Sequence, residues 1–150
     1  GDSDGLALST RNEKLPPTLK NIFQELSNDL QLRRTNGDLS GWAAQGVLLL
    51  NTCLTTEIGS SKAHRDMGWE IFTNAVVERV SFMIPSVVFM LWGKDAQTKE
   101  SFIDAKRHLV IKTTHPSPLS ASRGFNGSRP FSQANEFLRR KGREPIDWSK

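Results

Sequence analysis

The sequence predicts an α/β fold built on a mostly parallel sheet. Short apolar runs alternate with helical patterns along the chain, which is the order of α/β domains. The runs are continuously apolar, as in strands buried on both faces. Each predicted strand is also followed by a polar or flexible residue, Asn51, Gly93 or His115. Ligands of open α/β sheets bind outside the carboxyl ends of the strands, so these three positions predict one site. With 150 residues, 37% of them hydrophobic, the chain suits a single domain over residues 1–150.

The elements follow in order. Residues 1–18 are polar and end in the stiff turn LPPT. LKNIFQELSNDL places Leu19, Ile22, Phe23, Leu26 and Leu30 at helical spacing, and Thr18 is positioned to cap that helix. NGDLSGWAAQG is a turn-rich link. VLLLN, 47–51, reads as a buried parallel strand ending in Asn51. Residues 64–82 predict an amphipathic helix through Trp69, Phe72, Val76 and Val80. SVVFMLWG, 86–93, is a second strand closed by Gly93, and QTKESFIDA a short helix. HLVIKTTHPSPLS is a third strand running into a loop, and FSQANEFLRRKG a last helix with a glycine stop.

Composition narrows the function classes. No apolar run approaches the roughly 18–20 residues of a membrane-spanning helix, and the N-terminus does not read as a signal peptide. A single cysteine, Cys53, precludes an internal disulfide framework and fits a reducing, intracellular setting in the cytoplasm or nucleus. It lies in an apolar run, as a buried inert thiol does. CxxC and HExxH patterns are absent, so no metal site is expected. Charge is uneven. Residues 1–93 carry 8 Lys/Arg against 10 Asp/Glu, whereas residues 94–150 carry 12 against 6. A basic half beside a near-neutral half is suited to a polyanion partner, although a solvated basic surface has the same composition.

The loop HPSPLSASRGF, 115–125, concentrates the chemistry. Two prolines remove backbone donors and forbid a helix. His115 can donate a hydrogen bond to charge that develops on a leaving group. Ser117, Ser120 and Arg123 can bind phosphate oxygens. Leu119, between Pro118 and Ser120, can wedge into a base stack. Asn51 offers one acceptor and one donor on a planar group, matching a base edge. Separately these residues read as ordinary turn or structural positions; together they describe a device that opens a duplex and holds an extruded base.

NGDLSGWAAQGVLLLNTCLT, GWEIFT, VVFMLWGKDAQ, HPSPLSASRGF and KGREPIDW, in this order from about Gly5 to Trp148, resemble family 1 uracil-DNA glycosylases. The resemblance implies that family's parallel sheet flanked by helices, DNA as partner, and no cofactor, metal or membrane. It assigns Asn51 to the uracil edge and His115 to the departing uracil anion at O2. It assigns Leu119 to the space the base vacates, with Ser117, Pro118 and Arg123 in the same DNA-contacting loop. Pro16, Pro17 and Thr18 resemble the proline-rich loop that compresses the phosphate backbone. Gly93 resembles the glycine that binds the phosphate 3′ to the lesion, and Leu8 stands where the family stacks a phenylalanine on uracil.

The departures are as informative. The water-activating motif GQDPYHG is missing, and the chain contains no tyrosine. Asp2 and Asp4 are the acids nearest to where it belongs. Lys94 replaces a serine, Asn36 a histidine and Asn126 an aromatic residue of the family pattern. The family's strand before the motif lies inside its sheet, so the resemblance implies an N-terminally shortened domain missing one inner strand. VLLLN and SVVFMLWG then pair directly, or another segment or a second chain fills the gap. Two functions follow: a uracil-DNA glycosylase whose hydrolysis is slow or absent in this chain alone, or a non-catalytic DNA- or protein-binding module on the same scaffold.

Overall fold

A computed structural model describes residues 8–50 and 68–150. Helix α1, Pro17–Leu30, buries Leu19, Ile22, Phe23 and Leu26 on one face. Pro17 opens it at a position where a missing N–H costs nothing, and Pro16 is the N-cap residue. Thr18 therefore lies inside the helix and does not cap it, contrary to the sequence expectation. A short helix α2, Ser40–Ala43, begins where Asp38 Oδ1 accepts the Ser40 N–H at 2.9 Å, and it delivers Trp42 to the core.

The strand expected at VLLLN does not form over residues 47–50. Val47 and Leu49 pack against the core while Leu48 is 63% exposed. The alternation resembles a strand, but among the described residues no strand pairs with it, so residues 47–50 do not pair directly with SVVFMLWG. Asn51, Cys53, Asp2 and Asp4 lie outside the described residues.

Helix α3, Trp69–Met83, confirms the helical period, but not the buried face assigned to it. Phe72 is 53% exposed, whereas Thr73 and Ser81 are buried. The inversion follows from polar docking. Ser81 Oγ accepts the Asp104 N–H at 2.9 Å, and Ser81 O meets His108 Nε2 at 2.7 Å. His108 Nδ1 in turn accepts the Val87 N–H at 3.0 Å, so one buried imidazole ties α3 to the start of the sheet.

Strands β1, Val88–Trp92, and β2, Leu109–Thr113, pair in parallel, with Val88 opposite Leu109 and Trp92 opposite Thr113. Helix α4, Lys94–Gln97, and a 3-10 turn, Thr98–Phe102, connect them. The last helix among the described residues is α5, Pro130–Arg140, which stops as the glycine predicts. Gly142 adopts φ +70°, the Arg143 N–H reaches Leu138 O at 2.8 Å, and the Gly142 N–H reaches Arg139 O at 3.1 Å. That pair of bonds is a Schellman motif. The main core gathers Leu19, Ile22, Phe23, Leu26, Trp42, Phe125, Phe131 and Trp148 between α1, α5 and the sheet.

Candidate nucleic-acid interface

Parallel pairing brings the ends of β1 and β2 side by side, and with them Gly93 and His115. The Gly93 N–H donates to Thr113 O at 2.9 Å, extending the ladder by one residue. Gly93 has φ +91°, and a Cβ placed there would stand 3.3 Å from His115 Cβ. Glycine thus serves both the backbone turn and the approach of the histidine.

The loop after β2 is held largely by its own polar groups. Thr114 Oγ1 donates to Ser120 O at 2.7 Å and accepts the Phe125 N–H at 2.9 Å, which ties the two ends of the loop together. Ser120 Oγ donates to His115 O at 2.8 Å and lies 3.1 Å from Ser117 Oγ. Helix α1 adds a brace, Asn21 Nδ2 donating to Pro116 O at 2.8 Å. Pro116 is fully buried, whereas Pro118 is exposed. One proline anchors the loop and the other stiffens its tip.

The protonation of His115 follows from its neighbours. The Ser117 N–H donates to Nδ1 at 3.0 Å, so Nδ1 carries no hydrogen and the neutral ring keeps its proton on Nε2. The residue is exposed at the surface, yet packing around it removes enough water to push its pKa below the ordinary histidine value. The result is a neutral hydrogen-bond donor beside the glycine turn of the adjacent strand.

Around that donor the surface presents an exposed apolar side chain and an exposed cation. Leu119 is 84% exposed at the loop tip, a position that no folding requirement explains. Arg123 is exposed and pairs with no carboxylate among the described residues. Pro16, Pro17 and Thr18 begin the helix whose next turn holds Asn21, so the proline-rich segment adjoins the loop through Pro116. Leu8, at φ +68°, packs against the main core. Among the described residues no group of three His, Cys, Asp or Glu side chains can hold a metal ion. Asn21 and Thr114 were not singled out by sequence reasoning, because an isolated Asn in a helix and a Thr after a strand carry no local sign of a loop brace.

The fold that carries this glycine turn and histidine loop is shared with a known class of proteins. The profile of the Uracil DNA glycosylase superfamily matches residues 2–139, and the chain belongs to that family. The crystal structure of mimivirus uracil-DNA glycosylase superposes with a TM-score of 0.90 at 27% identity, covering 98% of this chain and 60% of that one. A single-substitution form of mimivirus UNG in complex with UGI gives a TM-score of 0.90 at 28% identity, covering 98% of this chain and 61% of that one. The chain thus spans about 60% of the length of the structures it matches.

Proposed function

We propose that the chain grips DNA through the loop 115–125 and accommodates a flipped-out uracil beside His115, as family 1 members do. The observation that carries this reading is the Ser117 N–H bond to His115 Nδ1, which leaves Nε2–H as a neutral donor on the loop that exposes Leu119. In hydrolysis of deoxyuridine the C1′–N1 bond breaks, its electron pair leaves with the base, and water adds at C1′. The departing uracil carries negative charge at O2. A donor aimed there stabilises the charge only as it develops. Leu119 occupies the gap left by the base, Arg123 and Ser117 contact phosphate, Pro16, Pro17 and Thr18 press on the backbone, and Asn51 reads the uracil edge.

Hydrolysis is slow or absent in this chain alone, because the sequence holds neither GQDPYHG nor any tyrosine. That same observation favours the second reading, a silent binding module on a glycosylase scaffold. Among the described residues the sheet has two strands, and a second chain or partner beside them would complete either form. Single-stranded DNA with one uracil, incubated with the chain and then treated with alkali, separates the two. A break at the uracil that His115→Ala lowers by about 10²–10³-fold supports the enzyme. No break, with binding that still prefers uracil, supports the module.

A further inference from the structure

The other end of the sheet carries a surface that DNA binding leaves unused. With five residues in each strand, the N-terminal ends of β1 and β2 lie about 16 Å from Gly93 and His115. There α3 ends in Phe82, Met83 and Ile84, which are 75%, 59% and 37% exposed. Single exposed apolar side chains are ordinary, but three within the last turn of one helix and its cap concentrate apolar surface at this end of the sheet. Phe82 also lines an open groove of about 320 Å³, with Phe102, Ile103 and Arg107 on its other side.

Two arginines flank this patch. Arg107 Nη1 lies 3.4 Å from Phe82 O, and Arg143 Nη1 donates to Ser86 O at 2.7 Å. Each contact uses one of five guanidinium N–H groups. Neither arginine pairs with a carboxylate among the described residues. Arg79 and Lys106 are exposed close by in sequence, so four cations stand near three exposed carboxylates, Glu78, Asp104 and Glu144. Asp104 Oδ1 is already engaged by the Lys106 N–H at 3.1 Å.

We infer that this surface docks an acidic amphipathic segment of a partner protein, which lays apolar side chains on Phe82 and Met83 and sets carboxylates against Arg107 and Arg143. A nucleic acid would satisfy the arginines but leave Met83 and Ile84 in water. A purely apolar partner would leave two guanidinium groups facing it unpaired. Because the patch lies at the opposite end of the strands from His115, partner and DNA bind together.

The test uses a fluorescent synthetic helical peptide with leucine and phenylalanine on one face and glutamate and aspartate on the other. Saturable binding to the full chain is expected, weakened at least about tenfold by Phe82→Ser with Met83→Ser and, separately, by Arg107→Glu with Arg143→Glu. Addition of DNA leaves it unchanged. These side chains are exposed or bonded only to main-chain carbonyls, and thermal unfolding and circular dichroism confirm that each variant is folded. Absence of saturable binding overturns the inference. So does equal binding of a peptide with glutamine and asparagine in place of the acids, displacement of the peptide by DNA, or affinity untouched by both double variants.

Discussion

His115 differs from an ordinary surface histidine because one ring nitrogen is already committed to the Ser117 N–H. Its folded pKa lies below the ordinary value, so the folded state favours the neutral ring. The stability consequence has a definite sign. Above the ordinary range near about 6.5 the ring is neutral whether folded or unfolded, and as pH falls through that range the unfolded chain takes up the proton first and stability declines. A proton on Nδ1 also abolishes the Ser117 bond. Affinity for uracil-containing DNA is therefore expected to stay level above neutrality and fall in mildly acidic solution, as a pH series of binding curves will show. Leu119 gives a complementary prediction. Since it is 84% exposed, Leu119→Ala is expected to change unfolding free energy by less than about 0.5 kcal/mol while weakening DNA binding. Chemical denaturation and a binding titration on the same variant check both.

Elements are joined here by carboxylates that sequence periodicity hides. Glu25 and Asp29 lie on α1 among apolar residues, where a helical wheel treats them as defects in the buried face. Glu25 accepts the Gly127 N–H at 2.7 Å and the Arg129 N–H at 2.9 Å. Asp29 accepts the Ser132 N–H at 2.8 Å and lies 3.3 Å from Arg129 Nε. Together they satisfy orphan donors at the start of α5, a cap supplied from another helix. Glu25→Ala removes a buried carboxylate that two part-buried amide donors share and is expected to cost about 1–3 kcal/mol, read from urea unfolding. The sequence made α1, β1, β2 and α5 legible because each has a strong period or a bounded apolar run. The α1 start was misplaced because Thr18 offered a side-chain cap, while the proline before it already fixed the first turn. Val47–Leu50 misled for a different reason: an apolar run has the same pattern in a strand as in a segment that packs without a pairing partner. The bond from Asn21 to Pro116 spans 95 residues and leaves no local trace.

At the scale of the whole molecule, one aromatic cluster joins the short helix α2 to the segment after α5. Trp42 meets Trp148 edge-on at 5.1 Å between ring centroids, and its indole N–H donates to Trp148 O at 3.0 Å. Phe131 contacts both rings. Arg34 lies over the Phe23 and Trp42 rings, and burial pushes its pKa below the ordinary arginine value. Leu26, fully buried in this cluster's core, is expected to cost about 2–5 kcal/mol on substitution by alanine, seen as a lower urea midpoint. The adjacency of Gly93 and His115 was legible because both follow strands that proved to be parallel neighbours, whereas Asn51 lies outside the described residues. The apolar end of α3 was not, since its exposure depends on which elements pack beside it.

The most direct measurement is equilibrium binding of two single-stranded oligonucleotides, identical except for one uracil in place of thymine, across a range of salt concentrations. Tighter binding of the uracil strand is expected, with the preference removed by His115→Ala and affinity for both strands falling as salt rises and phosphate counterions compete. Equal affinity for the two strands, or binding indifferent to salt, would contradict that expectation.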